Sequence, residues 1–476
     1  MSLQLVSENR LKNISAVIPL LNDKSLLESY HPNYKKNNFK KLEFGENKGE
    51  LLPRELADNL EKDVSIKNAD LNSPMYTTDV LVIGGGGAGA AAAIEANNAG
   101  AKVIIATKFR FGDSNTALAK GGISAAVSAD DSADIHYSDT FKGGHKNAEP
   151  ELLRILTENA CDGIKWLEGL GVNFDKTADG NYNVNLGGGA TVKRLLSVKD
   201  YTGAQIMKAL KNAVLSKDIS VLENMAAVSL VIDNKKCKGA VFLNGESRLA
   251  FIKANAVILA TGGCGSLCCG GFPTSNCHGI TGDGLRLAYR VGAKLEGAES
   301  LQYHPTGAVY PDSIYGQLIT EKARSLGAKL VNAKGECFVN SLETRDTVTA
   351  AIIRECELGL GVKTEKGAGV LLDTPMIDLI NGEGTICEKL PSLYKMFLGK
   401  GIDITKTPIL VYPTLHYQNG GLLINSCCET TVKNLFAAGE ITGGIHGKNR
   451  LMGNSLSDII VFGRIAGKNA AKCREV

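Results

Sequence analysis

No apolar run in this sequence approaches the roughly 18 residues that a membrane-crossing helix needs, so direct membrane insertion is not expected. The stretch most like a leader, ISAVIPLLN at residues 14–22, is short, is broken by Pro19 and has no clear small-residue cleavage site. A dominant charge is missing as well: 53 basic residues stand against 50 acidic ones, and no basic stripe is interleaved with aromatics. Nucleic acid is therefore not an expected partner. The twelve cysteines, in a chain without a secretory signal, fit free thiols in a reducing compartment better than a disulfide framework, which predicts a cytoplasmic protein. The spacing of Cys264, Cys268, Cys269 and Cys277 matches no iron–sulfur pattern. Together with Cys427 and Cys428 they read as structural thiols, and no metal site is expected.

What the sequence does have is glycine: 54 residues, clustered as GGGGAG, GGGA, ATGG, NGG and TGG beside apolar runs. Such clusters mark turns where backbone comes close to a ligand or to another element. With 476 residues, 44% of them hydrophobic, the chain can bury a large core in about two to three domains. Residues 1–75 are punctuated by Pro19, Pro32, Pro53 and Pro74, show no sustained period and read as an extension that wraps something. Their lysines Lys35, Lys36, Lys40 and Lys41 read as a solvated surface.

From Thr78 the texture becomes strand, glycine turn and Ala-rich helix, TDVLVIGGGGAGAAAAIEANNAG, and then a second strand, KVIIAT. Gly84, Gly86 and Gly89 supply G-x-G-x-x-G between strand and helix, the setting in which a pyrophosphate meets a helix N-terminus. The acidic residue that would hold a ribose at the end of the second strand is replaced by Thr107 and Lys108, which argues against a plain NAD site. A β-meander follows and returns through VILATGG (257–263), and a later strand ends in NLFAAGE (434–440). DSNTALAKGG (113–122) adds hydroxyl and amide groups able to contact a flavin ring. The expected fold is α/β. A Rossmann-like nucleotide-binding domain, residues 76–302 and 409–476, is interrupted by a smaller α+β capping domain, residues 303–408.

The segment ETRDTVTAAIIREC, residues 343–356, reads as the opening of a helix: Thr344 can cap it, and Val348, Ala351 and Ile352 recur on one buried face. Arg345 then lies where the macrodipole favours anions over cations. An arginine so placed either leans onto Asp346 and solvent or is there for chemistry.

From about Thr78 to about Lys472 the sequence resembles the flavoprotein subunits of succinate dehydrogenase and fumarate reductase, together with L-aspartate oxidase. The resemblance is carried in order by IGGGGAGAAAA, GDSNTALAKGGI, DYTGAQI, ATGG, TGDG, YHPTG, LITEKAR, ETRDTVTAA, HYQNGG and FAAGEITGGIHGKNRLMGNSL. It implies an FAD-dependent oxidoreductase that moves a hydride between flavin N5 and a C4-type dicarboxylate, and whose partner is an iron–sulfur electron-transfer protein. FAD would be held by Gly84, Gly86, Gly87, Ala88, Gly89, Thr107, Lys108, Ser114, Asn115, Thr116, Gly121, Gly122, Thr261, Gly262, Asp283, Glu440, Ser455 and Leu456. His304, Thr320, His416 and Arg450 would grip the dicarboxylate. Arg345 would deliver the proton, fed from the surface by Glu321 and Arg324. Arginine normally keeps its proton, so such a site should crowd it with positive potential from the helix N-terminus, Arg324 and Arg450.

Three departures shape the expectation. Membrane-bound members attach FAD through a histidine in an S-H-T segment, where this chain has Ser114, Asn115 and Thr116, so noncovalent FAD is expected. The chain stops after the last helix of the resemblance, without the helical C-terminal domain of complex-forming subunits. The extension holds no C-x-x-C-H, so it is not the haem domain of some soluble fumarate reductases. The alternatives are L-aspartate oxidase, or a reductase of another unsaturated acid whose pocket is reshaped by GGGATVKR and residues 303–408. In a different class stands a non-catalytic FAD electron-transfer subunit, in which Arg345, Glu321, Arg324 and both histidines would be idle.

Overall fold

The strand Tyr76–Ile83 ends in four consecutive buried residues, Val80, Leu81, Val82 and Ile83, so both of its faces must be covered. In the computed structural model, which describes residues 2–18, 24–63, 66, 70–267 and 270–473, it lies inside a seven-stranded sheet. Pro19, Cys268 and Cys269 fall outside the described residues. The sheet order is Ile219–Leu222, Val103–Ala106, Tyr76–Ile83, Leu249–Leu259, Lys236–Leu243 and Ala226–Asp233, and Leu435–Ala437 also pairs with Leu249–Leu259. Leu249–Leu259 serves two neighbourhoods. Its first residues pair antiparallel with the meander, and Ile252 onward pairs parallel with Tyr76–Ile83. The βαβ opening and the returning meander expected from the sequence are both present.

The helices Gly87–Asn98 and Asn454–Ala470 pack against each other beside this sheet. Small residues let their backbones meet: a Cβ at Gly467 would stand 2.1 Å from the Ala92 carbonyl oxygen.

The second body is a five-stranded antiparallel sheet in the order Leu301–Ala308, Ile409–Gln418, Gly367–Asp373, Lys329–Val331, with Val362–Thr364 paired to Gly367–Asp373. Its core includes Ile319, Val348, Ile352, Val370, Leu372 and Phe397. Ile409–Gln418 is hydrogen-bonded into this sheet and not into the nucleotide-binding one, so the second sheet runs ten residues past the expected boundary at 408. The strand pattern there is the same for either sheet, which is why the sequence placed it wrongly. The helix expected from residue 343 runs Arg345–Glu357, with Val348, Ala351 and Ile352 buried. Thr344 stands at its N-cap, but its hydroxyl meets that of Thr347 at 3.0 Å and bonds no backbone N–H of the helix.

The extension does wrap something: its own chain. Val6 of the helix Ser2–Ser15 packs with Val331 and Leu371, and Leu26 and Leu27 enter the core of the second body. Leu42, Leu52, Leu56 and Leu60 join the main core. Ser2–Ser15 was not legible as a helix because only Val6 and Asn13 of its described side chains are buried, too narrow a contact to stamp a period on the sequence. Lys40 pairs with Asp58 and Glu61 inside the extension, both at 2.8 Å. Arg10 Nε reaches both carboxylate oxygens of Asp373, at 2.9 and 3.0 Å, and Asp373 is completely buried. Burial raises that carboxyl, and Arg10 draws it back. Arg10→Ala should therefore cost about 3 kcal/mol by leaving a buried charge without its partner. Urea unfolding measures it, and an unchanged midpoint would mean that the extension contributes nothing at this contact.

Candidate active site

The ends of Tyr76–Ile83, Val103–Ala106 and Leu249–Leu259 open onto one cleft of about 520 Å3, where doubly wound sheets receive nucleotides. Gly84 makes the turn at φ +124°, and a Cβ there would lie 2.2 Å from the Ala260 carbonyl oxygen. The helix Gly87–Asn98 has no capping side chain at its N-cap Gly86, although Gly87 N donates to Thr116 Oγ1 at 3.2 Å, and its first turn lines the cleft in a setting that suits a pyrophosphate. Thr261 Oγ1 is buried in the wall without a hydrogen-bond partner. Cleft size, the glycine turn at the helix N-terminus and the unpartnered hydroxyl all fit a dinucleotide cofactor. At the end of the second strand Lys108 Nζ donates to Asp283 Oδ2 at 2.8 Å, so an acidic group from a different segment lines the cleft beside it.

Gly86, Gly87, Ala88, Thr107, Ser114, Asn115, Thr116, Gly262, Glu440, Ser455 and Leu456 line the same cleft. Gly89, Gly121 and Gly122, expected at the cofactor, do not. A Cβ at Gly89 would meet the Gly84 carbonyl at 2.1 Å, so its role is helix-to-loop packing. Gly121 packs against Met452, and Gly122 packs against Leu195 and Leu196. Asn115 is tied down on both sides of its amide, donating to Asn276 Oδ1 at 2.6 Å and accepting from Cys277 N at 2.8 Å. Burial pushes the carboxyl of Glu440 up to about 7, although Gln418 N donates to it at 3.1 Å.

Beside the cleft, two strands of the second sheet bring the histidines together. The ladder pairs Gln302 with Tyr417 and Tyr303 with Leu415, which leaves His416 as the extra residue of a β-bulge. His416 thereby faces His304, with ring centroids 5.2 Å apart and planes at 74°. Arg345 arrives at the start of its helix. Its Nε donates to Glu321 Oε2 at 2.8 Å and its Nη1 to Gln302 Oε1 at 2.8 Å. The same Gln302 oxygen accepts from Arg450 Nη2 at 2.9 Å, so one neutral amide spaces the two guanidinium groups. Arg450 lies 4.2 Å over the Tyr417 ring. Thr320 is buried and its hydroxyl accepts from Lys322 N at 3.3 Å.

Glu321 is the electrostatic centre. Burial alone would raise its carboxyl, but Arg345 and Arg324 together hold it down at about 2, aided by Gly188 N, which donates to Oε1 at 2.9 Å. Arg324 Nη2 forms an ion pair with Oε2 at 3.2 Å. Arg324 is itself fully buried and donates to the Ser341 carbonyl, so it does not lie at the surface from which the sequence expected it to act. Burial lowers its basicity, and Arg345 adds to that. Arg450 is lowered to about 10 by burial and by Arg345. Burial, with Arg345 next in weight, drives His304 and His416 well below the usual imidazole range, so both rings are neutral.

The depressed Glu321 carboxyl predicts acid lability. Ionised Glu321 stabilises the fold fully above its ordinary value of 4.5, and this contribution disappears as pH falls from there through about 2. Melting temperature followed between pH 6 and pH 3 should drop more steeply in the wild type than in Glu321→Gln, and parallel curves would contradict it.

The sequence reading missed Gln302, Gly188 and Ser275. Gln302 was within reach, because strand alternation puts it on the face of His304, two residues on. GGGATVKR, noted as unusual, is the loop that supplies Gly188. It is fastened by Arg194 to Asp131 at 2.8 Å and to Asp139 at 2.7 Å. Among the described residues no group of three or more His, Cys, Asp or Glu could hold a metal, and no helix is long and apolar enough to cross a membrane.

The family model described as "FAD binding domain" matches residues 79–456. One component of the CoM/CoB fumarate reductase of Methanothermobacter marburgensis is 41% identical over 416 residues, 84% of this chain and 74% of that protein. L-aspartate oxidase of Clostridium acetobutylicum is 35% identical over 82% of this chain and 87% of its own. Among solved structures, FrdA of E. coli quinol fumarate reductase superposes with a TM-score of 0.77 at 33% identity, covering 84% of this chain and 70% of that one. The chain therefore belongs to the FAD-binding family of oxidoreductases that includes the flavoprotein subunits of fumarate reductase and succinate dehydrogenase together with L-aspartate oxidase.

Proposed function

We propose that this protein reduces the double bond of a C4-type dicarboxylate such as fumarate, with Arg345 as proton donor. One observation carries the reading: Arg345 and Arg324 are buried on Glu321, and Arg450 joins Arg345 on Gln302, beside two neutral imidazoles. Three guanidinium groups face Glu321 and, beside Arg450, the partly ionised Glu440, so positive charge stays in excess at the clamp, at a cost that a bound dianion would relieve. FAD, when bound in the cleft, supplies the hydride at N5.

The chain's own residues do the rest. His304, His416, Thr320 and Arg450 hold the carboxylates by hydrogen bonds strengthened by charge, in a site closed to water. Arg345 engages the protein through Nε and Nη1, which leaves Nη2 for the substrate carbon. Positive potential from Arg450 and the helix N-terminus favours release of its proton. Glu321 Oε2, shared between Arg345 Nε and Arg324 Nη2, is placed to return one.

FAD is held noncovalently in this reading, because the tethered Asn115 amide stands where a linking histidine would be. Acid precipitation of the purified protein should release all flavin into the supernatant. The Methanothermobacter relative is one component of a larger enzyme, which supports an iron–sulfur partner that co-purification and metal analysis would reveal. The thiols of Cys161, Cys237, Cys337 and Cys356 support a reducing, cytoplasmic setting. The deciding assay is oxidation of reduced viologen by fumarate. Hydrogen peroxide formed from L-aspartate, without fumarate turnover, would replace this reading by the oxidase.

A further inference from the structure

A neutral imidazole can grip a carboxylate only if the nitrogen facing it carries the proton, so the tautomer of each clamp histidine matters as much as its position. His304 has no choice. The backbone N–H of Thr306 donates to its Nδ1 at 3.2 Å, which makes Nδ1 an acceptor and puts the proton on Nε2. For His416 no backbone group dictates the answer. Its Nδ1 lies 2.8 Å from Ser275 Oγ, a contact in which either atom could donate.

The surroundings resolve the ambiguity. The other acceptor within reach of the Ser275 hydroxyl is the Leu415 carbonyl oxygen, at 3.3 Å. That oxygen already receives Ser275 N at 3.0 Å and Asn276 Nδ2 at 3.2 Å, and a carbonyl oxygen has two lone pairs. The Ser275 hydroxyl proton therefore has its better acceptor in Nδ1 of His416, at the shorter distance. We infer that Ser275 is a positioning residue of the dicarboxylate clamp: by donating to Nδ1 it holds His416 as the Nε2–H tautomer, matching His304. The clamp then offers two uncharged N–H donors side by side, and its positive charge resides entirely on the guanidinium groups. A second cationic ring beside Arg345 would add repulsion, and a ring with its proton on Nδ1 would present a lone pair to a carboxylate.

This inference rests on the proposed function for its meaning but not for its test. Histidine-selective 15N NMR of the FAD-loaded protein, without substrate, reads which ring nitrogen is protonated. The seven histidines are few enough to assign with His416→Asn and His304→Asn references. In the wild type both rings should show protonated Nε2 and bare Nδ1. Ser275→Ala should move His416 toward mixed tautomers and leave His304, fixed by backbone, unchanged; Ser275→Thr should restore the wild-type pattern. Protonated Nδ1 of His416 in the wild type, or an unaltered His416 in Ser275→Ala, would overturn the inference.

With fumarate, Ser275→Ala should raise KM about tenfold while kcat changes less, and Ser275→Thr should recover KM. The groups facing His416 are Arg345, His304, Arg450 and Glu321, and none gains or loses charge in these variants. Equal losses of kcat and KM in Ala and Thr, at full flavin content, would mean a packing role and would count against it. If the tautomers respond as expected while fumarate is not turned over, Ser275 keeps its role and the substrate assignment falls.

Discussion

Arg345→Lys is expected to reduce fumarate reduction by about 10^3- to 10^4-fold while leaving FAD occupancy and the visible flavin spectrum intact. Three features of Arg345 are lost together. The planar guanidinium bonds Glu321 through Nε and Gln302 through Nη1, and the proposed function assigns its third nitrogen to the substrate. A lysine is a point charge on a flexible stem, able to satisfy one of these partners but not to bridge relay and substrate at once. The substitution keeps the positive charge, so a loss on this scale cannot be assigned to electrostatic attraction of the dianion. Steady-state rates with reduced viologen, beside KM and flavin content, are the measurement. A lysine variant within tenfold of the wild type would remove Arg345 as proton donor and leave it a binding group only.

The second large effect concerns the substrate. Crotonate has the carbon skeleton of fumarate with one carboxylate replaced by methyl, and its kcat/KM should be lower by about 10^4-fold. The expectation follows from the clamp, where Arg345 and Arg450 share a single neutral acceptor in Gln302 and Glu321 is already committed to Arg345 and Arg324. A monoanion would leave one buried guanidinium without a counter-charge, and no rearrangement of neutral His304 or His416 could provide one. Competition kinetics in one reaction vessel give the ratio directly. A ratio under about 100 would show that the site does not count charges, and a larger, less polar unsaturated acid would become the better substrate.

The sequence disclosed those parts of the site whose physics is local. A glycine at φ +124° after a buried strand, a helix with a glycine at its N-cap and a histidine as the fourth residue of a strand each leave a mark within a few positions. Residues defined by distant partners stayed hidden. Gln302 acquires its role from Arg450, 148 positions away, and Gly188 from Glu321, 133 positions away, and neither segment reports the other. The second sheet was legible as α+β, but its edge was not, since Ile409–Gln418 reads as a strand whichever sheet claims it. Arg324 was expected to feed Arg345 from the surface only through the family resemblance, and nothing in LITEKAR itself reports how deeply it lies. Its burial reflects the Ser341 carbonyl and the Glu321 carboxylate, contacts that only the folded chain supplies.

Removing residue 416 outright would act on the protein quite differently from replacing its ring. The strand would close into a regular ladder with Gln302 still opposite Tyr417 and Tyr303 still opposite Leu415, so the residues after the gap would keep their partners and their faces. Tyr417 would stay beneath Arg450, and Gln418 would keep its bond to Glu440. The bulge is thus the device that lets this strand carry one more inward-facing ring than a regular ladder would hold, at no cost to the pairing on either side of it.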